Sequence, residues 1–90
     1  MSKATQLIDK LIEGAIPLKL NSLIGHFEKQ GWLGSQVRHG RGIDLTFPAL
    51  RDAKNFTQQL SRIPGIRTYS DIRPVRQPWG DTEYAITVEF

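Results

Sequence analysis

The feature that most constrains the fold of this chain is a change of hydrophobic period that occurs twice, in the same order. The segments "FEKQGWLGSQV" (27–37) and "LSRIPGIRTYS" (60–70) each carry a helical stripe through a glycine into alternation by twos. Before the first glycine, Leu20, Leu23, Ile24 and Phe27 trace one helical face, and Gly31 suits the left-handed position that ends such a helix. Before the second, Leu50, Ala53, Phe56, Leu60 and Ile63 form an apolar stripe opposite Arg51, Asp52, Lys54, Asn55, Gln58, Gln59 and Arg62. Pro48 suits the first turn of that helix, and Pro64-Gly65 ends it.

Each unit continues as a hairpin. In "GSQVRHGRGIDLTF" (34–47), Val37 alternates with Gln36 and Arg38, and Ile43, Leu45 and Phe47 alternate with Asp44 and Thr46. In the second unit a strand is expected over 66–73, turn signals follow at Pro74, Pro78 and Gly80-Asp81, and 83–90 alternates cleanly.

The order αββ, twice, predicts an α+β fold: a four-stranded antiparallel sheet with the helices on one face. It is also the element order of a ferredoxin-like βαββαβ sandwich whose first strand has moved to the end. The units span 18–47 and 48–90, and an additional helix is expected over 2–14, where Leu7, Ile8, Leu11 and Ile12 precede Gly14 and Pro17. A chain of 90 residues buries enough surface for one modest core, so a single domain over 1–90 is expected.

Parity then assigns the two faces of the sheet. With Ile43, Leu45, Phe47, Tyr84, Ile86, Val88 and Phe90 turned to the helices, Gln36, Arg38, Asp44, Thr46, Glu83, Ala85, Thr87 and Glu89 fall on the open face. Arg67, Tyr69, Asp71 and Arg73 join them if Ile66 and Ile72 point inward, and a bulge near the prolines would reverse the later residues.

Charge is unevenly spread. Residues 29–76 hold nine cations, including all seven arginines, against Asp44, Asp52 and Asp71, a net of +6 in a chain of net +3. Arginine presents a planar donor fork to phosphate or carboxylate, so the cluster points to an anionic partner. With no cysteine, neither disulfides nor thiolate metal sites are available and a reducing, cytoplasmic setting is expected. No apolar run is long enough to span a bilayer, and no signal peptide is recognisable at the start.

Few residues point to catalysis. His26 is expected at the boundary of the core beside Phe27, whereas His39 lies at a hairpin tip between Arg38 and Arg41, where neighbouring cations favour the neutral base. No paired nucleophile or carboxylate dyad accompanies it, and no cofactor or metal is implied. Gly40-Arg41-Gly42 is too short for a phosphate loop and no helix follows it.

"FEKQGW" (27–32) followed by a hairpin bearing a histidine resembles the opening of HicA-like toxins, small RNA-cleaving proteins. The likeness covers less than a quarter of the chain, and it implies a match of Gly31-Trp32 and a sheet-borne His39 in RNA cleavage. A winged-helix DNA binder is a second alternative, with "VRHGRGIDLTF" as the wing; it lacks a recognition helix, because Gly31-Trp32-Leu33-Gly34 leads straight into strand.

The composition of the tips decides the principal expectation. Trp32 closes the end of the core beyond its helix, while Trp79, between Pro78 and Gly80, is either folded back on the sheet or displayed as an interface anchor. The chain is thus read as a non-enzymatic binding module that meets an acidic protein surface or nucleic acid through basic hairpin tips, such as an accessory or inhibitory protein of a mobile element. Arg38, His39, Arg41, Arg67, Tyr69, Arg73, Arg76 and Trp79 are the candidate contacts. The last strand, if exposed, offers an edge for pairing with a second copy.

Overall fold

A computed structural model of the chain describes residues 16–90. The helix expected over 2–14 lies outside the described residues. Helix α1 (Leu18–Lys29) leads to β1 (Ser35–His39) and β2 (Gly42–Phe47); α2 (Leu50–Leu60) leads to β3 (Thr68–Tyr69), β4 (Arg73–Arg76) and β5 (Thr82–Glu89). The architecture is α+β, but with five strands rather than four. All pairings are antiparallel, in the order β1-β2-β5-β3, with β4 also on β5.

The end of α1 follows from Gly31. With φ +78, Gly31 lets its N–H reach the carbonyl of Glu28 at 3.1 Å, and the N–H of Trp32 reaches that of Phe27 at 2.9 Å. These two bonds make a Schellman closure, and its usual apolar contact is the Trp32 ring set edge-on to Phe27 at 5.3 Å. Trp32 therefore does close the core at this end. His26 is exposed rather than at the core boundary, its ring edge-on to Trp32.

The core lies between the helices and one face of the sheet. Leu20, Ile24 and Phe27 of α1 and Ala53, Phe56 and Leu60 of α2 meet Ile43, Leu45, Phe47, Ile86 and Val88. Three rings hold the centre: Phe27 and Phe56 are 5.1 Å apart, as are Phe47 and Phe56. All three are fully buried, each contributing on the order of 2–3 kcal/mol by removal from water. Helix α2 begins at Leu50 behind an extended Ala49, so Pro48 precedes the cap instead of entering the first turn.

Two corrections concern parity. The turn between β1 and β2 has two residues, Gly40 and Arg41, with φ +51 at Gly40, and it places His39 opposite Gly42 and Val37 opposite Asp44. Val37 therefore lies on the open face, 59% exposed, and Arg38 and Gln36 lie on the helix side opposite Ile43 and Leu45. The turn register outweighs the apolarity of Val37 because β1 is an edge strand with no buried residue to enforce a parity.

The second correction is the expected strand over 66–73. Tyr69 pairs with Val88, but Arg73 pairs with Ala85, so one extra residue is accommodated over Ser70–Ile72. The bulge separates β3 from β4 and reverses parity. Tyr69 falls on the helix side with Val88 rather than on the open face, while Arg73 stays on the open face with Ala85. Finally, β5 is central, with β2 on one edge and β3 and β4 on the other, so the last strand offers no edge to a second copy.

Candidate functional site

The open face is ordered by cross-strand rows. Val37, Asp44, Thr87 and Ser70 stand in one row, and Ser35, Thr46, Ala85 and Arg73 in the next. Glu83 and Glu89 flank them, and none of these side chains is aromatic. The expected Tyr69 is missing from this face, so the stacking platform that single-stranded RNA requires is not formed among the described residues.

A polar network crosses the face. The Thr87 hydroxyl donates to Asp44 Oδ1 at 2.7 Å, and His39 Nε2 lies 3.1 Å from the same oxygen. Arg73 Nη2 donates to Thr87 Oγ1 at 3.1 Å, and Arg73 Nη1 to Ser70 Oγ at 3.2 Å. Ser70 Oγ also accepts the Thr87 N–H at 3.0 Å, which ties the bulge to β5. The Thr87 hydrogen bond, with the nearby His39 and Arg73, holds the Asp44 carboxyl below the ordinary carboxylate value against a smaller opposing effect of burial.

The first hairpin tip is turned toward its own chain. His39 reaches down the open face to Asp44, with Gly42 beneath its ring: a Cβ at Gly42 would stand 2.9 Å from His39 Cε1 and 3.0 Å from the Val88 carbonyl oxygen. The Arg38 guanidinium lies 5.6 Å from the centre of the Phe90 ring, and the Arg41 carbonyl accepts the Phe90 N–H at 2.8 Å. Arg67 is exposed at this same end of the sheet, its N–H bonded to the Glu89 carbonyl.

The second tip is turned outward. Gln77 accepts the Gly80 N–H at 2.9 Å and donates to the Asp81 carbonyl at 2.7 Å, closing a turn with Pro78 at its second position. This closed turn carries Trp79 at its apex, 68% exposed. Trp79 is displayed, not folded back. Every residue of β4 is exposed, so Arg73, Val75 and Arg76 adjoin it on the same hairpin.

The candidate residues thus do not form one surface. Arg38, His39, Arg41 and Arg67 stand at the Glu89 end of β5, and Arg76 and Trp79 at the Thr82 end. The eight-residue strand between them is about 23 Å long. Arg73 lies between the two groups and Tyr69 on the opposite face. Tyr69 borders a groove of about 360 Å³ with Thr57, Gln58, Ser61, Ser70, Asp71 and Ile72.

Sequence inspection missed the joint role of Asp44, Thr87 and Ser70. Alternation does place Asp44 and Thr87 on the open face, but nothing local marks them as neighbours across β2 and β5. Among the described residues, no group of three or more His, Asp or Glu is close enough to hold a metal ion, and no helix is long and apolar enough to cross a membrane. Compared with known families, curated proteins and solved structures, the chain matches none of them.

Proposed function

We propose that this chain is a small non-enzymatic binding module whose second hairpin docks on an acidic protein surface, with Trp79 as the apolar anchor and Arg76 beside it. The observation that carries this reading is the 68% exposure of Trp79 on a hydrogen-bonded turn. A tryptophan held in water exposes a large apolar surface whose burial against a partner is favourable, and a closed turn limits the ordering cost on binding. Tryptophan and arginine are the residues that most often carry interface energy.

A protein partner is favoured over nucleic acid because the open face mixes Asp44, Glu83 and Glu89 with one arginine and offers no ring for stacking. The strand order β1-β2-β5-β3 supports the finer fold reading, a ferredoxin-like sandwich with its first strand moved to the end. A cytoplasmic accessory or inhibitory role, as in mobile elements, fits the cysteine-free chain. RNA cleavage in the HicA-like manner has one observation in its favour, the His39–Asp44 pair at 3.1 Å.

The test is affinity capture with the full chain and with a Trp79→Ala/Arg76→Ala variant, beside anisotropy titrations of single-stranded DNA, duplex DNA and hairpin RNA across salt. An acidic protein retained by the native chain and lost on substitution supports the proposal. Capture indifferent to the substitution overturns it, as does nucleic-acid binding that weakens steeply with salt. Loss of RNA integrity that depends on His39 would move the assignment to nuclease.

A further inference from the structure

The helix layer leaves a groove between its two members. Lys19 and Leu23 of α1, with Gln59 of α2 and Arg62 and Ile63 just beyond it, line a space of about 360 Å³. Leu23 and Ile63 are its apolar part: both are half-buried and packed against the core, yet both border the groove. Among the described residues that line it, two are cations and none is acidic. A groove of this kind fits an amphipathic segment with acidic residues along its flank.

The groove begins where residues 1–15 join the described chain. Pro17 packs on Gly65, where a Cβ would stand 3.0 Å from Pro17 Cγ, so the entry to α1 lies against the segment that leaves α2. Lys19 follows Pro17 closely, and Arg62 and Ile63 closely precede Gly65. Leu18, at this same end, is 83% exposed, which leaves apolar surface open there.

The sequence of 1–15 supplies the complement. On the helix expected over 2–14, Leu7, Ile8, Leu11 and Ile12 share one side, and Asp9 and Glu13 follow one another along its flank. A helix this short is marginal in water and needs an apolar surface against which to order. We infer that residues 1–15 dock in the groove between α1 and α2, with Leu11 and Ile12 over Leu23 and Ile63, and Glu13 between Lys19 and Arg62. Reach allows it: from Ile12 to Ile16 the chain advances about 6 Å as helix and no more than about 14 Å when extended. Tethering selects this occupant. A segment joined so close to the groove has an effective concentration on the order of millimolar, which a second copy or a free partner at micromolar concentration does not match. The docking is confined to the helix layer and is independent of the role of Trp79.

Methyl cross-relaxation measured by NMR on the full chain tests the inference. Contacts of the Leu11 and Ile12 methyls with those of Leu23 and Ile63 are expected, and a mixture of differently labelled chains should show that they arise within one chain. Leu11→Asp is expected to abolish them and to shift the Leu23 and Ile63 signals while those of Leu45 and Val88 stay in place, the sign of an intact core. Arg62→Glu is expected to weaken the docking by about two- to fivefold, the worth of an exposed ion pair, and adding Glu13→Arg should restore it. Absence of the contacts in the native chain overturns the inference, and so do contacts found only between chains, which would make the occupant a second copy. Contacts that outlast Leu11→Asp, or that are indifferent to Arg62→Glu, overturn it as well.

Discussion

The Thr87 hydroxyl donates to Asp44 Oδ1 at 2.7 Å across two neighbouring strands, joining residues 43 apart in sequence. This bond is the largest of the causes that lower the Asp44 pKa from its ordinary 3.8, ahead of the contribution of His39. Because the folded value lies below the unfolded one, the contribution to stability is complete above the ordinary carboxylate range. It is lost as pH falls through 3.8 toward the lowered folded value. Thr87→Val is expected to raise the Asp44 pKa, read from its carboxyl carbon by NMR titration, and to reduce the loss of stability on acidification. No change in that titration would show that the bond is not formed in solution.

Gly42 is required by crowding from two sides. A Cβ there would lie 2.9 Å from His39 Cε1, which can swing away, and 3.0 Å from the Val88 carbonyl oxygen, which cannot move without shifting β5. Gly42→Ala is expected to cost about 1–3 kcal/mol in denaturant unfolding, in the range of overpacking. It should also displace His39 from Asp44. Unchanged stability with an unchanged His39 ring environment would contradict the packing described.

The same neighbourhood shows what the sequence discloses. The Gly31 closure of α1, the hairpin of β1 and β2 and the inward set Ile43, Leu45, Phe47, Ile86 and Val88 were legible because periodicity and turn chemistry are local. Val37 was not. Its parity is set by the two-residue turn at Gly40-Arg41, and an edge strand that buries nothing carries no apolar pattern to reveal it. A bulge near the prolines was foreseeable, but its place over Ser70–Ile72 was not, nor that Tyr69 rather than the later residues would change face, since a bulge changes register without changing composition. The Asp44–Thr87–Arg73–Ser70 network inherits both difficulties, because it exists only once three strands are in register. Trp79 was legible as a residue of interest from its Pro and Gly neighbours, but its direction was not.

Phe27 binds three parts of the core together. Its ring lies edge-on to Phe56 at 5.1 Å, to Trp32 at 5.3 Å and to Phe47 at 6.0 Å. Phe27→Ala is expected to destabilise by about 3–5 kcal/mol through lost burial and a residual cavity, a large share of what a domain of this size has. Phe27→Leu should cost much less. Equal losses for the two in chemical unfolding would mean that ring contacts, not volume, dominate this site.

The two tryptophans are predicted to separate by experiment. Trp32 is half-buried at the Schellman closure, so Trp32→Ala removes the contact with Phe27 and is expected to cost on the order of 1–3 kcal/mol. Trp79 is 68% exposed and its turn is closed by main-chain bonds at Gln77, so Trp79→Ala should change stability by no more than about 0.5 kcal/mol. Fluorescence distinguishes them without a partner. Iodide should quench Trp79 strongly in a Trp32→Phe variant and quench Trp32 weakly in a Trp79→Phe variant. If Trp79 proved shielded, it would be packed on its own sheet and could not serve as the anchor proposed for it.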